Sequence, residues 1–86
     1  AIDAVTRGLG KELAAEGIRV NAVAPGTIQT EIHARGGAAD RPARVVGRVP
    51  MKRIGEPAEI ADAVLWLLSD EASYVTGTVV RVSGGL

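Results

Sequence analysis

Eighty-six residues, ten basic and ten acidic, give a chain of zero formal charge. It is too short for more than one small domain and lacks the basic field that a nucleic-acid backbone requires. One Trp, one Tyr and no Phe within a 47% apolar composition leave the core to Ala, Val, Ile and Leu and offer no stacking platform for bases; the absence of cysteine excludes a disulfide framework, and the apolar runs fall far short of the roughly 20 residues of a membrane helix.

A reducing, cytoplasmic compartment with no nucleic-acid and no membrane partner is the expectation. Ala1 opens into a helical pattern with no initiator Met, no secretory leader and no Ser, Thr, Asp or Asn before it as a cap, so the sequence is expected to begin inside an element of a longer protein.

Ile2, Val5, Leu9 and Leu13 recur at helical spacing, and Gly17 stands where a helix favours a left-handed residue beyond its end, which predicts a helix over 1–16. Gly8 and Gly10 each cost this helix about 1 kcal/mol against Ala, so a close neighbour is expected against that surface. Ile18 to Ala24 reads as a strand covered on both faces and stopped by Pro25. From Thr27 to Arg48, Gly36, Gly37, Pro42 and scattered charges break both periods, as in a long functional or mobile connection.

Pro57, Glu59 and the apolar set Ile60, Ala61, Val64, Leu65, Leu67 and Leu68 predict a helix over about 57–69. Trp66 lies off the centre of that face, as a rim residue or as an anchor for another chain. After a turn at Thr76 and Gly77, Thr78 to Val82 reads as a second strand. Strand, connection, helix and strand make an α/β unit of the βαβ kind with an extra helix in front, and two parallel strands expect more sheet beside them.

Several apparent motifs fail. The run around Gly8 and Gly10 has Leu13 where a dinucleotide fingerprint needs its third glycine, and Val5 where a phosphate loop needs its first. His33 is the sole histidine, so a metal site would need scattered carboxylates, and none is expected. Ser69, Ser73 and Ser83 lack a nucleophile elbow, and Tyr74 is followed four residues on by Thr78, not Lys. No catalytic residue is assigned.

Three ordered blocks change the reading: Asn21-Ala-Val-Ala-Pro-Gly with Thr30 behind it, Arg53-Ile-Gly-Glu-Pro-Ala-Glu-Ile-Ala, and Ser69-Asp-Glu-Ala-Ser-Tyr-Val-Thr-Gly before a final strand and Gly-Gly. Together they resemble the C-terminal part of the short-chain dehydrogenase/reductase family of NAD(P)-dependent enzymes. The resemblance implies the C-terminal third of a doubly wound, Rossmann-like parallel sheet over 1–86, with 31–49 as the substrate-loop region.

It also implies that the loop after the first strand meets the nicotinamide end of NAD or NADP. Pro25 and Gly26 would let the backbone turn closely past the ring, Ile28 would offer backbone groups to the carboxamide, and the Thr30 hydroxyl would bond nearby, with Thr27 in the same set. The alternative for these residues is that Pro-Gly ends a strand and the threonines cap a short helix. Asn21 is read as bridging strands by its amide.

The family's glycine-rich turn and its Ser, Tyr and Lys are implied upstream, with Tyr-x-x-x-Lys ending just before Ala1. Ser83 stands where the family often has an acid. Two readings follow: part of a homodimeric or homotetrameric reductase acting on a small carbonyl or alcohol, or a non-catalytic remnant that serves as an interaction module.

Overall fold

The computed structural model describes residues 1–28 and 46–86. The first helix, α1, spans Ile2–Leu13 and tightens into a 3-10 turn over Ala14–Glu16. Gly17 ends it at φ +77°, donating to Ala14 C=O at 3.1 Å while Ile18 N–H reaches Leu13 C=O at 3.3 Å, the paired bonds of a Schellman motif. The residues α1 buries are Thr6 and Gly10, whereas the apolar stripe of Ile2, Val5 and Leu9 is exposed. Periodicity identifies an apolar face without identifying the neighbour, and among the described residues α1 meets Thr76 and Gly77 instead. Of the two glycines expected to face a close neighbour, Gly10 has described atoms within 4 Å of the place a side chain would take, and Gly8 has none among the described residues.

Strand β1 covers Ala22–Pro25, starting later than the expected 18–24 and including Pro25. The reason lies in the hydrogen bonds of the preceding residues. Val20 N–H donates to Thr76 Oγ1 at 3.0 Å, and the Asn21 amide donates to Val75 C=O at 2.9 Å while accepting from Thr78 N–H at 3.1 Å. Side chains therefore do the work of a ladder before the ladder begins, and Asn21 bridges as expected. Ala22 and Gly26 donate to Thr78 and Val82 C=O at 3.0 and 2.9 Å. Pro25, out of phase with these donors, forfeits no bond to the partner strand.

Helix α2 spans Pro57–Leu68, with Glu56 before it and Pro57 in its first turn. It stops where Ser69 turns to extended backbone and both its N–H and Oγ reach Trp66 C=O, at 3.0 and 2.6 Å. Strand β2, Val79–Val82, follows and pairs parallel with β1, Ala22 opposite Val79 and Pro25 opposite Val82. Along β1, Val23 shares a groove with Ile60, Val64 and Leu67 of α2, whereas Ala24 shares one with Ile2 and Asp3 of α1, together with Val79 and Arg81; Pro25, at the strand end, lines both. Alternate strand residues face opposite ways, so the two helices flank opposite faces of the sheet, as a doubly wound α/β unit requires.

The buried apolar side chains among the described residues are Val49, Leu67 and Ala72, at 2%, 6% and 0% exposure. Of the broad face expected on α2, Leu65 and Leu68 stay 63% and 74% exposed and Ala61 is exposed as well. A two-stranded sheet is too narrow to cover a helix face of that width. Trp66 is 44% exposed.

Candidate functional site

Both parallel strands point their carboxyl ends the same way, and the segments that leave them converge. Gly26, Thr27 and Ile28 continue from β1, while Ser83 to Leu86 continue from β2. Between them lies the stretch that enters α2, and the three enclose a cavity of about 460 Å³ lined by Thr27, Ile28, Met51, Arg53, Ser83 and Leu86, among others. This is the crevice beyond the strand ends where open α/β sheets hold ligands.

Three contacts build it. Ile28 forms an isolated parallel bridge with Gly55, whose N–H donates to Thr27 C=O at 3.0 Å. A residue bridged in this way turns its neighbours' polar groups toward the partner, so Ile28's own N–H and C=O face the other side. On the opposite wall, Met51 N–H donates to Gly84 C=O at 3.0 Å, and buried Val49 lies against Gly84. At the mouth, Arg53 Nη1 and Nη2 grip Glu59 Oε1 and Oε2 at 2.6 and 2.7 Å, and Glu59 Oε1 also accepts Glu56 N–H at 3.0 Å.

The Arg53 hydrogen bonds, then that of the Glu56 backbone, hold the Glu59 carboxyl down at about 2, against an ordinary 4.5. A carboxyl depressed in the folded state stabilises above its unfolded value and loses that contribution as pH falls from about 4.5 toward 2. Thermal unfolding of Glu59→Gln against wild type is therefore expected to show a deficit at pH 7 that narrows through this window. Because both side chains are partly exposed, added salt narrows it too.

The candidate residues fall as follows. Thr27 and Ile28 are half-buried and line the cavity. Pro25 is exposed at the end of β1. Gly26 is half-buried, but the space a side chain would take is filled by Ser83, so its close approach within these residues is to protein. Thr30 lies outside the described residues, as do His33 and the 31–45 part of the expected substrate loop. Met51, Arg53 and Gly55 were not singled out from sequence, and Glu59 was read only as a favourable charge at a helix start. The signal for Arg53, Gly55 and Glu59 was the block that begins at Arg53 and runs into the helix start; Met51 precedes it and had none. No group of His, Asp or Glu able to hold a metal occurs among the described residues.

A family profile described as enoyl-(acyl carrier protein) reductase matches residues 1–86. An uncharacterized oxidoreductase of Escherichia coli (strain K12), YgfF, is 55% identical over 85 residues, 99% of this chain and 34% of its own length. The chain belongs to the short-chain dehydrogenase/reductase family. Two solved structures of short-chain dehydrogenase/reductase type superpose closely. A 3-oxoacyl-[acyl-carrier protein] reductase from Brucella melitensis with bound NAD is 47% identical at TM-score 0.83, over 99% of this chain and 30% of that one. A putative 2-deoxy-d-gluconate 3-dehydrogenase from Agrobacterium tumefaciens with bound NADP is 39% identical at TM-score 0.86, over 98% and 35%. The chain spans about a third of the length of the curated relatives it matches.

Proposed function

We propose that this chain supplies the nicotinamide-side wall of an NAD(P)-dependent oxidoreductase that passes hydride between the nicotinamide ring and a carbonyl or alcohol carbon of a small molecule. The observation that carries the reading is the loop Pro25 to Ile28, held at the carboxyl end of β1 by the Gly55 bond to Thr27, with the Ile28 backbone groups facing away from that bond. An amide donor and a carbonyl acceptor on one residue match the carboxamide of nicotinamide, which needs one of each. The related structures with NAD and with NADP support the same group. Bound NAD or NADP would supply the hydride chemistry; these residues would orient the ring and exclude water from it. Proton transfer belongs to the Ser, Tyr and Lys that the family carries upstream of this segment. The exposed apolar residues of α1 and α2 suit subunit contacts in a homodimer or homotetramer, and the compartment proposed is the cytoplasm.

The test is titration of the intact protein with NADH and with NADPH, followed by fluorescence. Wild type is expected to bind one or both, and Thr30→Ala to weaken binding about tenfold, the loss of one hydroxyl bond in a closed site. A polypeptide of residues 1–86 alone is expected to show no turnover. Failure of the intact protein to bind either nucleotide would sink the reading, and unchanged binding by Thr30→Ala would remove Thr30 from the site.

A further inference from the structure

We propose that Arg53 is a positioning residue for the nicotinamide-facing loop: its bidentate grip on Glu59 fixes Gly55, and Gly55 fixes Thr27 and Ile28. The inference rests on the reading of that loop as the cofactor wall and assigns the part that sets its place. Each link is a short, directed contact. Arg53 spans to Glu59 through two bonds of 2.6 and 2.7 Å, a fork that matches a carboxylate edge to edge. Glu59 is itself tied to the start of α2 through the 3.0 Å bond from Glu56 N–H, so the grip is referred to a helix and not to a loose side chain. Gly55 lies between these two anchors. Its N–H holds Thr27 C=O at 3.0 Å, and a side chain there would stand 3.0 Å from Ile28 Cδ1 and 3.9 Å from Glu59 Oε1.

Only one backbone hydrogen bond between described residues joins the 26–28 stretch to the 51–55 stretch, that of Gly55 to Thr27. A bond between two irregular segments opens locally unless the partner segment is itself held. Arg53 lines the cavity beside Thr27 and Ile28, yet both terminal nitrogens are engaged by Glu59. Glu59 takes one N–H of each terminal nitrogen and leaves the guanidinium its other donors, so the proposed route through Gly55 is separated from direct contact by the double variant.

The test uses the intact protein with Arg53→Gln, Arg53→Lys, Glu59→Gln and the double variant Arg53→Gln/Glu59→Gln. Without nucleotide, amide exchange at Gly55 is expected to quicken about fivefold in Arg53→Gln and less in Arg53→Lys, which keeps the charge and loses the fork. Nicotinamide nucleotide affinity is expected to fall by a similar factor, with Glu59→Gln equal to Arg53→Gln and the double variant no worse than either. Unchanged exchange at Gly55 overturns the inference whether or not the protein binds nucleotide. Faster exchange with wild-type affinity overturns it as well, since the pair would then serve stability alone. Additive affinity losses in the double variant also overturn it, because Arg53 would then touch the nucleotide itself. Absence of nucleotide binding by wild type defeats the oxidoreductase reading and leaves the exchange result to decide the role of Arg53.

Discussion

Gly10→Ala is expected to destabilise the intact protein by about 2 kcal/mol, while Gly8→Ala, two residues earlier on the same helix, is expected to stabilise it by about 0.5–1 kcal/mol. The two glycines flank the same Leu9 in sequence and have opposite surroundings in space. A methyl on Gly10 would lie 2.7 Å from both the Cα and the N of Gly77 and 3.1 Å from Thr76 Oγ1, whereas one on Gly8 would meet nothing within 4 Å among the described residues.

The atoms facing Gly10 cannot rotate aside. Gly77 N–H is bound to Val20 C=O at 2.7 Å, its backbone sits at φ +76°, and Thr76 Oγ1 accepts Val20 N–H. Displacing that turn strains the entry to both strands, a steric cost of about 3 kcal/mol from which the helix-propensity gain of about 1 recovers a part. Denaturant midpoints of the two variants and wild type give the comparison directly. A Gly8→Ala that destabilises would show that another segment or subunit covers that side of α1, and a neutral Gly10→Ala would show that the turn gives way without cost.

This contrast also marks how far sequence carries. Both glycines are conspicuous in a helical pattern, but the pattern cannot say which one faces a neighbour, because contact depends on a turn 67 positions away. Helix α2 was legible to within a residue, since Pro57, the acidic first turn and the apolar spacing all act locally. The turn at Thr76 and Gly77 was legible too, being short-range chemistry with few alternatives. The start of β1 was not, because Ile18 to Asn21 have strand composition, yet Ile18 N–H closes α1 on Leu13 and Arg19 to Asn21 bond the 75–78 loop. Nor was the Arg53–Glu59 pair, whose members stand six apart across the boundary between an irregular segment and a helix, where no period relates them. The place of Pro25, Gly26, Thr27 and Ile28 at a strand's carboxyl end was readable from the apolar run and Pro-Gly alone. What they face was read from resemblance, and for Gly26 the structure supplies a different neighbour.

That neighbour yields the most consequential substitution for the proposed function. Gly26→Ala is expected to cost about 3 kcal/mol of stability and to weaken nicotinamide nucleotide binding at least tenfold. The added methyl would stand 2.8 Å from Ser83 Cβ and 2.9 Å from Ser83 Cα. At the same place Gly26 N–H bonds Val82 C=O at 2.9 Å, so the ends of the two strands are stitched together where the methyl would force them apart. If they part, Thr27 moves with Gly26 and its carbonyl leaves Gly55; if they stay, the strain remains in the strand ends.

The double variant Gly26→Ala/Ser83→Gly separates the two reasons a glycine can be required here. Removing the Ser83 side chain relieves the contact with Cβ and leaves that with Cα, so stability is expected to recover by about 1 kcal/mol, with nucleotide affinity recovering alongside. Recovery of stability without affinity would instead mean that Gly26 is kept small for the nicotinamide ring and that its contact with Ser83 is incidental to binding. Parallel recovery means that the wall of the pocket is shaped from within, by the closeness of the strand ends that carry it.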